Sequence, residues 1–284
     1  MKKYPGKQAV MAKGWFKAHM WLILRRLSQV GILGLFLLGP AAGIWIVEGN
    51  LNSSMTLGVL PLTDPFISLQ SFVAGHIPET TALIGVVIVA GFYAILGGRI
   101  YCSWVCPVNL ITDAAHYTRT KLNMDKGWQP KRNLRYWVLA MALVVSAVTG
   151  TIAWEVINPV SMFHRGIIFT MGLGWLILLA IFLFDVFVSR RGWCGHLCPV
   201  GAFYGLLGQK SLLRISARHR KYCDDCMDCF AVCPEPHVIT PALDRGGKGA
   251  SPVISSVDCS NCGRCIDVCR VNVFRFATRR DKAA

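Results

Sequence analysis

Eight cysteines in the last quarter of this chain constrain it more than any other feature. They fall in two runs of one rhythm, Cys223-x2-Cys226-x2-Cys229-x3-Cys233 and Cys259-x2-Cys262-x2-Cys265-x3-Cys269. Pro234 follows the first run and Arg270 the second. This is the spacing of bacterial ferredoxins with two [4Fe–4S] clusters: three close thiolates wrap one cube, and the fourth ligand comes from the other run. The pattern assigns Cys223, Cys226, Cys229 and Cys269 to one cluster, and Cys259, Cys262, Cys265 and Cys233 to the other. Structural zinc, the competing use, pairs its ligands across a longer stretch instead of packing four cysteines together twice. The predicted tail is a small pseudo-symmetric α+β ferredoxin-like unit, with Gly246-Gly247-Lys248-Gly249 a mobile insertion between the runs.

The rest of the chain sets where that tail sits. With 54% hydrophobic and 16% charged residues, the chain is too apolar for an ordinary soluble domain. Its apolar residues come in blocks, and a bilayer core takes about 20 consecutive apolar residues. Spanning helices are predicted at 29–47, 80–97, 136–154 and 166–188. Ala41-Ala42-Gly43 resembles a signal-peptide cleavage site, but the long basic leader and the apolar run through Val47 favour an uncleaved helix. The net charge of +15 is not that of a nucleic-acid binder, whose Lys and Arg would line a soluble face with aromatics between them. Here the basic residues flank the apolar blocks on alternate sides. The connection 48–79 has none and 155–165 has only Arg165, while the leader, the middle connection and the tail hold the others. That bias places both termini in the cytoplasm, in a multi-pass protein of the cell inner membrane with the lipid bilayer as a partner. All twelve cysteines then face a reducing compartment, which favours metal over disulfides.

The expected architecture is an α-helical integral membrane protein of four transmembrane helices with a C-terminal α+β ferredoxin-like 2[4Fe–4S] domain. Its expected parts are a basic cytoplasmic segment 1–28, a membrane domain 29–189 and a cytoplasmic ferredoxin domain 190–284. The membrane part carries a weak repeat. Cys102-Ser-Trp-Val-Cys106-Pro107 follows the second helix and Cys194-Gly-His-Leu-Cys198-Pro199 the fourth, so two parallel-repeat hairpins bring both motifs to one face. Proline biases Cys106 and Cys198 away from helical backbone, so each pair sits where a helix gives way to a turn. Three readings of these thiols stay open: a third cluster, redox dithiols tuned by Arg99, Arg190 and Arg191, or small buried residues.

Asp64, His76, Glu155 and His164, near predicted periplasmic helix ends, are candidates to take protons from a quinol being oxidised. Asp185, inside the fourth helix, is a fifth, since ionisable groups within spans tend to be functional. Water-facing loop residues, or an ion pair of Asp185 with Arg190 and Arg191, are the plain alternatives. No Walker motif, G-x-G-x-x-G or C-x-x-C-H occurs, so the chain reads as a relay without a nucleotide site or covalent haem of its own.

Trp21-Leu-Ile-Leu-Arg-Arg26, Pro61-Leu-Thr-Asp-Pro65, Tyr101-Cys-Ser-Trp-Val-Cys-Pro107, Glu155-Val-Ile-Asn-Pro159, Gly192-Trp-Cys-Gly-His-Leu-Cys-Pro-Val-Gly201 and Cys226-Met-Asp-Cys-Phe230 through Cys233-Pro-Glu-Pro-His237 together carry a resemblance. The chain resembles, nearly end to end, the NapH family of ferredoxin-type membrane proteins of periplasmic nitrate reductase systems. The resemblance implies the membrane subunit of a quinol dehydrogenase, not active alone. It would pass electrons from quinol toward the nitrate reductase through a NapG-type periplasmic iron–sulfur protein and a NapC-type membrane tetrahaem cytochrome, with a NapF-type cytoplasmic ferredoxin as a further contact. The competing function is a regulatory or maturation polyferredoxin of the NosR and FixG kind, which shares the paired C-x3-C-P motifs.

Overall fold

A computed structural model describes residues 5–124, 127–128, 130–169, 172–244 and 249–282. Gly246, Gly247 and Lys248 of the expected insertion lie outside the described residues. The chain divides into two compact units. One comprises Met1–Ser28, Tyr93–Trp104 and Tyr204–Ala284, and the other Gln29–Phe92 and Val105–Phe203.

The first long helix is Trp15–Ala42, so it begins well before the expected residue 29 and stops before 47. Basic charge marks the stretch 15–28 in the sequence, but charge does not break a helix, and no Gly or Pro interrupts that stretch. The end is set by Gly43, whose left-handed backbone (φ 71°) returns its N–H to Gly39 O at 2.9 Å. A Cβ on Gly39 would lie 2.6 Å from the Trp45 ring, so the returning chain needs glycine there.

Part of the expected 48–79 connection is a three-stranded antiparallel sheet, Val47–Gly49, Ser53–Thr56 and Leu60–Thr63, registered Val47↔Thr56 and Ser54↔Leu62. Strands of three and four residues are too short for their alternation to show in sequence. Helices Thr80–Leu96 and Leu134–Thr149 lie where apolar blocks were read. The single helix expected over 166–188 is corrected to Pro159–Phe169, Gly172–Leu183 and a π turn at Phe184–Val188. The first two lie side by side. The Phe163 and Trp175 rings are 6.0 Å apart, and a Cβ on Gly174 would stand 3.0 Å from Met162 O. Along one straight helix, residues twelve apart would be separated by about 18 Å.

Among the described residues, one helix, Trp15–Ala42, is long and apolar enough to cross a membrane. Thr80–Leu96, Leu134–Thr149 and Gly174–Val188 are apolar but shorter. In the same unit as the last of these, three buried arginines bond around the π turns at Phe184–Val188 and Trp193–Leu197. Arg119 donates to Val186 O at 2.7 Å, Arg135 to Gly195 O at 3.4 Å, and Arg191 pairs with Asp113 at 2.9 Å. A π turn leaves carbonyls off the regular helical ladder, and guanidinium donors satisfy them.

The unit with the cysteine-rich tail is α+β. Strand Leu213–Ser216 pairs antiparallel with Arg275–Thr278, registered Leu213↔Thr278 and Ser216↔Arg275. Its core joins Ile215, Ile239, Ile254, Val273 and Phe274 to Cys229, Cys265 and Cys269. Tyr93–Trp104 is locked to the tail by backbone contact: a Cβ on Gly98 would fall 1.5 Å from Tyr204 O, and one on Gly208 2.0 Å from Gly98 N. The Tyr101 and Tyr204 rings stack above this crossing at 4.8 Å.

Candidate metal centres in the cysteine-rich tail

The two cysteine runs repeat in backbone as well as in sequence. Asp225 (φ 53°) and Met227 (φ 64°) flank Cys226 in left-handed conformation, and Asn261 (φ 48°) and Gly263 (φ 73°) flank Cys262 in the same way. Positive φ is uncommon outside glycine, so the match at corresponding positions marks a shared turn. Alternation of this kind turns successive amides to one side and makes a concavity for negative groups. The amides of Asp228 and Arg264 bond the Cys226 and Cys262 sulfurs, two residues on in each run. The amides of Phe230, Glu235 and Asn261 bond Cys229, Cys233 and Cys259, and Val273 N–H donates to Cys269 Sγ at 3.3 Å. Short helices Asp228–Val232 and Arg264–Val268 follow and carry Cys229 and Cys265.

Electrostatics shows which thiols are neighbours. Burial, then the charges of Cys226, Cys269 and Cys223, pushes the Cys229 thiol up to about 12. Burial, then Cys262 and Cys259, raises Cys233. Burial, then Cys262, Cys233, Cys259 and Cys229, raises Cys265 well above the ordinary thiol value. Cys269 thus stands by the first run and Cys233 by the second. A cavity is walled by Cys233, Cys259, Cys262 and Cys265 together with Ile239 and Ile254. Buried, crowded thiols resist ionising unless a cation binds them. The amides aimed at sulfur suit a thiolate-ligated cluster, whose sulfurs accept such bonds. The residues present fit two [4Fe–4S] cubes, which would supply one-electron transfer.

The two sets differ in their surroundings. Burial raises Cys262, but the guanidinium charges of Arg264 and Arg25 outweigh it and hold the thiol below its ordinary value. Arg214 and Arg99 act on Cys259 in the same direction, though burial still carries that thiol up to about 11. By contrast, after burial, Asp224 and Asp228 raise Cys226. Arg270, standing where the first run has proline, donates to the Asp224 carboxylate, so the departure from the repeat has a local use.

The sequence reading missed how the leader joins this centre. Gly6 N–H donates to Asp228 Oδ2 at 3.0 Å, Lys13 Nζ to Ile266 O at 2.7 Å, and the Trp21 and Leu22 amides to Asp267 at 3.1 and 2.9 Å. Acids at 228 and 267 beside the cysteines, in a chain of net charge +15, were the available signal. A Cβ on Gly263 would lie 2.7 Å from Trp21, so the leader packs directly on the second run.

The other candidates are engaged locally. Cys102 lies on helix Ile100–Trp104, whose Ser103 and Trp104 side chains donate to Ser260 O (2.8 Å) and Asn261 O (3.2 Å) of the second run. Cys106 precedes helix Val108–Lys121 and packs with Val108, Val160 and Ile181. Cys194 sits on the π turn Trp193–Leu197, 3.9 Å from Thr112 Oγ1, and Cys198 leads into helix Pro199–Leu207. Each pair therefore ends at a helix-to-turn junction. Asp64 caps helix Pro65–Val73, accepting from Phe66 N at 2.7 Å and Ile67 N at 3.3 Å. His76 Nε2 donates to Gly150 O at 3.0 Å. Glu155 Oε2 accepts from Asn52 (2.8 Å) and Asn158 (3.1 Å), and its Oε1 faces Arg165 at 3.5 Å. His164 is buried edge-on to Phe36 at 5.4 Å. Asp185 is buried and accepts from Trp193 N at 3.0 Å, while Arg191 pairs with Asp113.

Comparison with known proteins agrees with the tail chemistry. A 4Fe-4S dicluster domain model matches residues 222–273, and a 4Fe-4S binding domain model matches 79–125 and 169–221. No solved structure matches. The chain is 49% identical to the ferredoxin-type protein NapH of Escherichia coli, over all of this chain and 98% of that protein. It is 48% identical to NapH of Haemophilus influenzae, over 98% of this chain and 97% of that one. It is 53% identical to the methylamine utilization ferredoxin-type protein MauN of Methylorubrum extorquens, over 96% and 94% of the two chains. With relatives this similar along their whole length, the chain belongs to the NapH and MauN family of ferredoxin-type iron–sulfur proteins.

Proposed function

We propose that the chain is the membrane-embedded electron-transfer subunit of a quinol dehydrogenase. In this reading it passes electrons from quinol toward a periplasmic nitrate reductase through a NapG-type iron–sulfur protein and a NapC-type cytochrome, with a NapF-type ferredoxin as a further contact. Residues 29–189 form a domain of four spans, 1–28 and 190–284 are cytoplasmic, and the tail carries two [4Fe–4S] clusters. Cys223, Cys226, Cys229 and Cys269 hold one cluster, and Cys259, Cys262, Cys265 and Cys233 the other. The observation that carries the reading is the duplicated cradle, in which each run's last cysteine neighbours the other run's thiols. The four apolar helices support the membrane part. Three of them have 15 to 17 residues, about 23–26 Å of rise, which flanking turns or local bilayer thinning would complete.

The test is iron counting and EPR on anaerobically purified protein before and after adding quinol in the presence of the partner proteins. Reduction of about eight irons per chain is expected. Silence toward quinol would remove the reading, as would a C-terminal reporter active only in the periplasm. About twelve irons, falling with Cys102→Ser, would show a third cluster at Cys102, Cys106, Cys194 and Cys198. A second reading, a ferredoxin-type role in methylamine utilization, is favoured by the 53% identity to MauN. Unchanged nitrate-reductase electron supply in a deletion strain would favour it.

A further inference from the structure

Beside the two cysteine helices, the leader forms an open cavity of about 360 Å³. Leu22, Val232 and Val268 lie on its apolar side, and Lys7, His19, Arg25, Arg264 and Asp267 on its polar one. Three of its four tail residues adjoin a cysteine of the runs: Val232 precedes Cys233, Arg264 precedes Cys265 and Val268 precedes Cys269, while the fourth, Asp267, holds the Trp21 and Leu22 amides. Arg264 also lines the cavity walled by Cys233, Cys259, Cys262 and Cys265, so one side chain faces both spaces. His19 Nδ1 donates to Trp15 O at 2.9 Å and its ring stacks on Trp15 at 5.1 Å. That bond leaves the lone pair of the neutral ring on Nε2. The same leader exposes Met11 (80%), Trp15 (63%) and Phe16 (63%), an apolar skin suited to a membrane interface.

An apolar pocket with a few fixed polar groups selects a flat ring bearing polar oxygens. We propose that this cavity receives the ring of the quinol, an inference that rests on the quinol reading above. In it His19 Nε2 meets one quinol oxygen, and electrons leave across the Arg264 wall to the clusters. Both quinol O–H bonds break, one proton passing to His19 and the other to water at the open mouth. The ring becomes quinone, and its two electrons reduce the two clusters by one each.

The test uses the full chain, cluster-loaded, in phosphatidylcholine nanodiscs, photolabelled with an azidoquinone. Label within residues 15–25 or 264–268, suppressed by excess menadione, is expected. His19→Ala should cut that labelling about tenfold, the loss of one good hydrogen bond, with the cluster EPR signals unchanged. Ala18→Trp, which fills the cavity, should abolish it, and if that variant fails to hold clusters, His19→Ala alone decides. Label confined to other segments overturns the site, as does label displaced by phosphatidylglycerol but not by menadione, which would mark an anionic-lipid site. Label here with clusters that quinol never reduces supports the cavity and sinks the quinol-oxidation reading. Quinol reduction that survives His19→Ala, with label elsewhere, retains that reading and removes this site.

Discussion

Gly263 and Met227 occupy the same place in the two cysteine runs, and the difference between them can be measured. Both are left-handed, at φ 73° and 64°. Met227 is 44% exposed, whereas a Cβ on Gly263 would stand 2.7 Å from Trp21 Cβ and Cγ. Gly263→Ala therefore meets two costs. The left-handed backbone costs a non-glycine residue about 1–2 kcal/mol. Crowding in a packed site adds about 1–3 kcal/mol. The expected sum is about 2–5 kcal/mol, against the backbone cost alone, of opposite sign, for the mirror change Met227→Gly. Trp21→Ala in the Gly263→Ala background should recover the crowding part. The assay follows iron–sulfur absorbance of the cluster-loaded protein against urea and compares the midpoints of cluster loss. A Gly263→Ala midpoint matching wild type would refute the claim that the leader packs on the second run.

Three further outcomes follow from the same geometry. Cys269→Ser should destroy the cluster of Cys223, Cys226 and Cys229, and Cys233→Ser the other, each leaving about four irons and one EPR signal; loss of the cluster of the mutated run instead would show that the ligands are not exchanged. Gly98→Ala, whose Cβ would fall 1.5 Å from Tyr204 O, should prevent accumulation of folded protein, while Gly91→Ala, with open space around it, should be tolerated; immunoblots of membranes compare the two. Asp267→Ala removes the acceptor of the Trp21 and Leu22 amides and should cost about 1.5–3 kcal/mol per charge-assisted bond, read as faster proteolysis of the leader.

The matched turns of the two cysteine runs were legible because their spacing is local and brings three thiols to one turn. The leader was not, because its anchors are backbone amides of Gly6, Trp21 and Leu22, which every residue type but proline carries. Charge at Lys13 and Arg25 read as a solvated, cytoplasmic signal. In the structure Lys13 bonds Ile266 O, and Arg25 is 1% exposed. Hydropathy registered 166–188 as one block because it has no direction; the side-by-side packing of Pro159–Phe169 and Gly172–Leu183 shows only in contacts such as Met162 with Gly174. Asp64 before Pro65 carried the pattern of a helix cap, which its carboxylate makes, whereas the Asn52 and Asn158 side-chain partners of Glu155 depend on packing that no spacing rule encodes.

Charge asymmetry between the cradles bears on where an electron rests. Arg25 and Arg264 act on Cys262, and Arg99 and Arg214 on Cys259, against Glu235 on Cys233; Asp224 and Asp228 act on Cys226, against Lys13 beside Cys269, so the cations still gather on the second set. Reduction adds negative charge, so cations near a cluster raise its potential and anions lower it. One unit charge at a separation of about 10 Å, with an effective dielectric near 20, is worth about 1.7 kcal/mol, or about 70 mV for one electron. The cluster of Cys233, Cys259, Cys262 and Cys265 should therefore titrate as the higher-potential centre. Arg264→Met should lower that centre by about 70 mV and leave the other nearly unmoved. An EPR-monitored redox titration reads both. Two coincident potentials, or an Arg264→Met shift confined to the cluster beside Asp224, would show that these charges do not set the order. With the order as predicted, the centre that shares Arg264 with the leader cavity is the better acceptor, which favours electron entry there from a donor bound in that cavity.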